Sequence, residues 1–330
     1  MKLSRLGEFG LIERVRRILP GARGVRIGIG DDAAWVRTSS GSCLITTDLM
    51  VEGVHFDLRW TTPEDLGYKA LAVNLSDIAA MGGVPAYAVL SVGVPARFDS
   101  RDIEALYRGV GRLAALSRVA VVGGDTSTAP KMLISVCVIG HPPPRPLTRG
   151  GAREGDEIYV SGTLGDAALA LMLLKHRSRK LRHPEASVLL ARHHRPSARV
   201  ELGARLARSG MATAMIDVSD GLLQDLGHIC RASNVGAVVW QERLPLSPAY
   251  RLLCGDQGSR FALTGGEDYE LLFCARRRER PRIEALARRL SLPLTRIGEC
   301  VAAERGTVVL DGAGRPVGVG AGGYDHFKSP

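Results

Sequence analysis

Residues 61–83 read TTPEDLGYKALAVNLSDIAAMGG, and the fold turns on this stretch. Thr62 suits an N-cap, Pro63 the first helical turn and Asp65 the free amides there, while Gly82 and Gly83 mark a stop; the pattern predicts a helix. The apolar runs on either side, SCLITTD (42–48) and AYAVLSVGV (86–94), have the length of strands. Working outward, VRIGIG (25–30), VAVVGG (119–124) and MLISVCVIG (132–140) read as further strands. FDSRDIEALYRGVGRLAALSR reads as a second helix with an apolar stripe of Ile103, Leu106, Tyr107, Val110, Leu113 and Ala114. HPPPRPLTRGGAREGD (141–156) breaks regular structure with proline and glycine, so residues 1–141 and 142–330 are expected to form two domains.

In the second part EIYVSG, MATAMIDVS and the end of FALTGGEDYELLFCA read as strands. LGDAALALMLLKHRSRK, VELGARLARSG, DGLLQDLGHICRAS and PRIEALARRL read as helices, and TVVLDGAGRPV as a hairpin turning at Asp311 and Gly312. Helices and strands mixed in both halves give the class α/β, with α+β character. At 330 residues each half is large enough for its own core, and 45% apolar content excludes a disordered chain. Six cysteines at 43, 137, 230, 254, 274 and 300 form no CxxC pair and read as buried, reduced thiols. MKLSRLGEFGLIERVRRIL reads as an amphipathic helix rather than a signal peptide, and no run reaches the roughly 18 apolar residues of a membrane span. The expected location is the cytoplasm.

Six segments pair carboxylates with glycine, threonine or serine: GIGDDAA (Asp31, Asp32), TTDLM (Asp48), NLSDIAA (Asp77), GGDTST (Asp125), IDVSDGLL (Asp217, Asp220) and GGEDYE (Glu267, Asp268). Any one of them can be a turn or a helix cap. As a set at the ends of apolar runs they point to one crevice holding Mg²⁺, because gathered carboxylates repel without a cation. Asn74 and Asp77, three apart, share one side of an otherwise apolar helix and extend that pattern. The flanking glycines suit close approach of phosphate oxygens.

No lysine-bearing phosphate loop, GxGxxG, kinase catalytic loop, GxSxG or HExxH is present, and GTLG (162–165) is either a phosphate turn or simply a turn. The formal charge of +10 suits nucleic acid or a small anion. Its basic run, residues 175–199, lacks interleaved aromatics and reads as a solvated helix end and loop, with His193 and His194 on the surface. Arg149, between the halves, reads as a nucleotide contact or a hinge ion pair.

GEFGLI, GIGDDAA, TTDLMVEGVHF, DLGYKALAVNLSDIAAMGG, VVGGDTST, LTRGGAREGD, IDVSDGLLQDL, GGEDYELLF and the terminal GYDHF together resemble the thiamine-monophosphate kinase family, end to end. That family belongs to the ATP-dependent superfamily typified by aminoimidazole ribonucleotide synthetase. The resemblance implies a two-domain aminoimidazole ribonucleotide synthetase-like fold whose N-terminal strands form a homodimer interface. It implies transfer of the ATP γ-phosphate to thiamine monophosphate, with Mg²⁺ required and K⁺ activating, and the expected mechanism is direct in-line transfer assisted by several Mg²⁺ ions. Carried over by motif, the metal ligands are Asp32, Thr46, Thr47, Asp48, Asp77, Asp125, Asp217 and Asp220, with Asp32 and Asp220 central to catalysis. Nucleotide contacts are Tyr107, Gly124, Asp125, Arg149 and Ser219, and acceptor contacts are His55, Glu267 and Tyr324. The competing readings are a synthetase of the same superfamily, which would release ADP and phosphate, and a basic nucleic-acid-binding module.

Overall fold

The computed structural model describes residues 7–18 and 23–319, with Arg5, Tyr324 and Phe327. The opening helix is described as α1 (Glu8–Ile18); of the terminal GYDHF motif only Tyr324 and Phe327 are described, and the rest lies outside the described residues. Two six-stranded sheets divide the chain at the proline-rich segment. The first holds β1 (Val25–Ile27), β2 (Ala34–Thr38), β3 (Gly41–Val51), β4 (Val84–Val94), β5 (Ala120–Thr128) and β6 (Leu133–His141), in the order β1-β2-β3-β6-β4-β5. All its pairs are antiparallel except β4 with β5. One face is covered by α2 (Pro63–Ala80), which packs on α3 (Ser100–Ser117), and here lies a core of Leu44, Leu71, Leu75, Ile78, Leu90, Leu106, Ile134 and Val136.

The second sheet holds β7 (Glu157–Ser161), β8 (Ala212–Asp217), β9 (Gly236–Trp240), β10 (Leu271–Ala275), β11 (Leu294–Val301) and β12 (Thr307–Leu310), in the order β12-β9-β11-β7-β10-β8. The helices around it are α4 (Asp166–Lys175), α5 (Ala186–His194), α6 (Val200–Ser209), α7 (Leu222–Ser233), α8 (Pro248–Leu253), α9 (Arg260–Thr264) and α10 (Arg280–Leu290). β10 shows why LLFCA is apolar throughout: Leu272 and Cys274 join the core under α7, while Leu271, Phe273 and Ala275 join the core under α6 and α10. A strand covered on both faces loses the polar alternation of a half-exposed one.

The helix over 61–83 forms as its ends dictate. Thr62 accepts the Asp65 amide at 3.1 Å and donates its hydroxyl to the Asp65 carboxylate at 2.7 Å, and Pro63 occupies the first turn. Nearly every residue of α2 is buried, because α3 and the first sheet flank it while its far end, through Ala79 and Ala80, enters the core beneath α6. A Cβ on Gly67 would lie 1.9 Å from the Leu106 carbonyl, so α2 and α3 pack with backbone almost in contact.

Several sequence expectations are corrected. The strands at 34–38, 236–240 and 294–301 were not anticipated. Tyr107 is exposed on α3 and does not belong to its buried stripe. The helix from residue 164 stops at Lys175, with Arg177 at φ +45°, and the basic run continues as a short 3₁₀ turn and α5. Arg177, Arg179 and Arg182 are exposed, as expected of a solvated helix end and loop, but the later arginines turn inward: Arg195 pairs with Asp65 and Glu64, while Arg192 and Arg199 pair with buried Glu270. The end of the run is therefore a strap between the two halves. The Asp311 turn forms, but the returning arm reaches β12 through a single bridge, Leu310 to Pro316.

Replacing Gly67 with alanine is expected to lower unfolding free energy by about 2–3 kcal/mol, since overpacking against backbone cannot relax by a rotamer change. Gly111, on the same helix pair with nothing within 4 Å of its added Cβ, serves as the control; Gly111→Ala is expected to be neutral or stabilising by up to about 1 kcal/mol in denaturant titration.

Candidate active site

Three carboxylates from distant parts of the chain meet where α2 passes between the sheets. Oxygens of Asp32, Asp77 and Asp217 all lie within 4.8 Å of one another. Asp32 follows β1, Asp77 lies on α2 and Asp217 closes β8. Each has a polar neighbour: Arg149 Nη2 donates to Asp32 Oδ1 at 2.6 Å, the Thr46 hydroxyl to Asp77 Oδ2 at 2.5 Å, and the Ser76 hydroxyl to Asp217 Oδ2 at 2.6 Å. Among the described residues Asp32 Oδ2, which is buried, has no hydrogen-bond partner. An unsatisfied carboxylate oxygen among other carboxylates fits a hard cation, and the all-oxygen donor set fits Mg²⁺.

The electrostatics carry the same mark. Burial pushes the Asp217 carboxyl up to about 8, with the Asp32 charge adding to it. Burial and the Asp220 charge bring Asp48 to about 6, and burial with the Asp32 charge brings Asp31 to about 7. Asp77 lies well above the usual carboxylate range, through burial and then Asp48, Asp217 and Asp32. Asp32 is also raised, because burial outweighs the Arg149 guanidinium. Asp32, Asp48, Asp77, Asp217 and Asp220 thus form one interacting group drawn from both halves of the chain.

Local structure explains how they are aimed. Asn74 Oδ1 accepts the Asp48 amide at 3.0 Å while its Nδ2 donates to the Ala70 carbonyl, so Asn74 is a clamp between α2 and β3. Asp48 and Asp125 lie inside their strands and only Asp217 closes one, which corrects the expectation of acids at strand ends. Strand alternation places Thr46 and Asp48 toward α2 but Thr47 on the opposite face, where its hydroxyl meets Ser135 Oγ at 3.4 Å. The Thr47 side chain therefore does not join the cluster. Gly124 and Asp125 lie on β5, exposed along its length, and Asp125 Oδ1 accepts the Thr126 amide at 2.9 Å. A Cβ on Gly124 would lie 1.8 Å from the Leu90 carbonyl, so close approach of β5 to β4 already requires glycine there.

On the other side, Asp225 Oδ2 accepts the amides of Asp220 and Gly221 at 3.1 and 3.0 Å, holding the loop before α7. Tyr324 reaches this loop from the chain's end: its amide donates to the Asp220 carbonyl at 3.3 Å, and Gln224 Nε2 bridges Asp220 Oδ2 and the Tyr324 carbonyl. The Glu267 amide donates to the Ser219 carbonyl at 2.8 Å, and the Glu267 carboxylate accepts Lys69 Nζ at 2.7 Å. Asp268, grouped with Glu267 on sequence, instead accepts the Gly165 amide at 2.7 Å at the start of α4. His55 stands beyond the end of β3; its Nδ1 accepts the Val51 amide at 3.0 Å, which leaves the proton of the neutral ring on Nε2.

His193, expected on the surface, is only 3% exposed, with Nδ1 lying 3.1 Å from Glu267 Oε2. The pattern of α5 could not reveal this, because the burial comes from contact with a loop some seventy residues later. Lys69 and Asp225 were likewise missed. Lys69 carried a signal, being a basic residue inside an apolar helical run.

The AIR synthase related protein N-terminal domain matches residues 30–141 and the corresponding C-terminal domain residues 153–311. Thiamine-monophosphate kinase of Escherichia coli strain K12 is 40% identical over 328 residues, covering 98% of this chain and 99% of that one. The Bacillus subtilis strain 168 protein of that name is 37% identical over 327 residues, covering 98% and 100%. The solved structure of AaThiL complexed with AMPPCP and TMP superposes with a TM-score of 0.86 at 37% identity, covering 99% of both chains. The two-domain mixed α/β fold is thus that of AIR synthase related proteins. Hydrogenase maturation protein HypE in complex with ATP, at 20% identity and a TM-score of 0.68, covering 86% of this chain and 87% of that one, shares the fold.

The raised carboxyls make a prediction about metal-free protein. Asp217 keeps its proton in the folded chain up to about pH 8 and loses it near the ordinary carboxylate value of 3.8 when unfolded, so its contribution falls as pH rises between those values. Burial lowers His194 to about 4 and His228 to about 3, and these act oppositely, removing stability as pH falls below the unfolded histidine value of 6.5. Between pH 6.5 and 8 the carboxyls dominate, and thermal unfolding in chelator is expected to weaken by about 1 kcal/mol per pH unit. Asp217→Asn should show a shallower slope and a higher melting temperature at pH 8.

Proposed function

The chain belongs to the thiamine-monophosphate kinase family, and from that we propose that it transfers the γ-phosphate of ATP to thiamine monophosphate, yielding thiamine diphosphate and ADP. The observation that carries this reading is the shared carboxylate group of Asp32, Asp77 and Asp217, whose oxygens lie within 4.8 Å, in a chain lacking a lysine-bearing phosphate loop. AaThiL, complexed with AMPPCP and TMP, supports a nucleotide donor and a separate acceptor.

In this reading Asp32, Thr46, Asp48, Asp77, Asp125, Asp217 and Asp220 hold Mg²⁺, and Thr47 takes part only through its main chain. Bound Mg²⁺ supplies the positive charge that offsets repulsion between two phosphate-bearing substrates. Arg149, already turned to Asp32 at 2.6 Å, orients the donor phosphates together with Gly124, Asp125 and Ser219, with Tyr107 toward the nucleotide. His55, Glu267 and Tyr324 orient the acceptor. The acceptor is a phosphate monoester whose oxygen is anionic near neutral pH, so transfer needs no strong base. His55 then donates from Nε2 and does not abstract a proton. Rate comes from positioning and charge neutralisation.

The domain roles follow. Residues 1–141 carry most metal ligands and a dimer surface, and residues 142–330 complete the nucleotide and acceptor site. A homodimer is supported by the outward face of the first sheet, where Leu49, Tyr87, Val89 and Ile139 are exposed on adjoining strands. A cytoplasmic setting is supported by six free cysteines. Among the described residues no helix is long and apolar enough to cross a membrane.

Incubation with ATP, Mg²⁺ and thiamine monophosphate is expected to give thiamine diphosphate and ADP in equal amounts, with K⁺ raising the rate. Free phosphate in place of thiamine diphosphate would establish the synthetase reading instead. Asp32→Asn and Asp220→Asn should each lower kcat about 100-fold or more across a Mg²⁺ titration. Val89→Asp is expected to convert dimer to monomer in analytical ultracentrifugation; a dimer that survives this change excludes the sheet face as its interface.

A further inference from the structure

Two helices that are remote in sequence converge on one carboxylate, carried by a third segment. Lys69 of α2 is 3% exposed and donates from Nζ to Glu267 Oε1 at 2.7 Å. His193 of α5, also 3% exposed, brings Nδ1 to 3.1 Å from Glu267 Oε2. The loop that carries Glu267 is conformationally unusual: Glu267 has φ +70° and Tyr269 φ +50°, both in the left-handed region that side chains disfavour. Such a backbone persists when its surroundings over-determine it. Here the Glu267 and Tyr269 amides donate to the Ser219 and Val218 carbonyls at 2.8 Å each, which stitches the loop to the segment between Asp217 and Asp220.

We infer that Lys69 and His193 are positioning residues, which lock Glu267 and its strained loop in the conformation that presents the acceptor site beside the carboxylate cluster. The inference rests on the reading of Glu267 as an acceptor contact. Neither residue need touch a substrate. Among the described residues Lys69 is buried with a single carboxylate partner, so a pairing serving stability alone would be a poor use of it, since ion pairs removed from water contribute little net. What the pair does supply is direction. Lys69 ties the loop to the helix bearing Asp77, and His193 ties it to the arginine strap that also grips Asp65 and Glu270. The acceptor contact and the metal-binding acids are thereby referred to one frame.

The test uses the full-length enzyme with His193→Ala and His193→Asn, the latter keeping an amide donor at the position of Nδ1, toward Oε2. His193→Ala is expected to raise KM for thiamine monophosphate about tenfold, with KM for ATP and kcat changed less than about twofold. His193→Asn should restore most of the loss. Amide hydrogen exchange of residues 265–270 should accelerate in the alanine variant and return in the asparagine variant. Unchanged exchange there in His193→Ala overturns the lock, as does an equal rise in both KM values. Absence of turnover in the wild-type protein would instead overturn the kinase reading, while the exchange measurement still decides whether His193 orders the loop. Lys69→Met, if it folds, is expected to accelerate the same amides; normal exchange in it also overturns the lock.

Discussion

Like charges do not gather in a protein interior unless something holds them, and helix α2, with Arg149 gripping Asp32, holds Asp32, Asp77 and Asp217 within 4.8 Å of one another. It contributes Asp77 directly, and its Ser76 hydroxyl reaches Asp217 on the second sheet. Its Asn74 fixes the backbone of Asp48 on the first sheet, and its Lys69 meets Glu267 in the loop before β10. Four polar residues on one buried helix therefore set the relative placement of groups from both halves. Close packing makes this frame stiff: the absence of a side chain at Gly67 lets α3 press against α2 along its backbone.

The arrangement trades stability for a site. Raised carboxyls at Asp31, Asp48 and Asp217 record burial first and neighbouring carboxylate charge second, and a bound cation would relieve both. Elsewhere opposite charges are matched closely. Buried Glu270 takes Arg199, Arg192 and the Ser161 hydroxyl, and Glu157 takes Arg280, Arg296 and the Tyr159 hydroxyl. Unmatched charge is thus concentrated at the cluster, where chemistry calls for it. Burial also holds His193 and His194 below the usual histidine value, so these rings stay neutral beside the charged groups they face.

Much of this could be read beforehand, and the reasons are local. The cap at Thr62, the proline after it and the apolar run behind them are contained within α2 itself. The apolar stretches of β3, β4 and β6 needed no partner to be recognised as strands. The acids of GIGDDAA, TTDLM, NLSDIAA and IDVSDGLL converge as their repeated composition suggested. Where reading failed, the decisive neighbour was far away. Thr47 and Thr46 are indistinguishable in sequence, yet strand alternation sends one to α2 and the other to Ser135. Asp268 and Glu267 are adjacent, yet one caps α4 and the other meets Lys69.

By itself the sequence determined the class of fold, the helix at its centre and the kinds of group that build the site, because propensity, capping and hydrophobic period act within a few residues. Only the tertiary structure decided which carboxylates share space, that the end of the basic run is a strap and that His193 is buried. Those outcomes depend on contacts between segments up to two hundred residues apart, such as Lys69 with Glu267, separated by 198. Distance in sequence carries no record of distance in space until the core has packed.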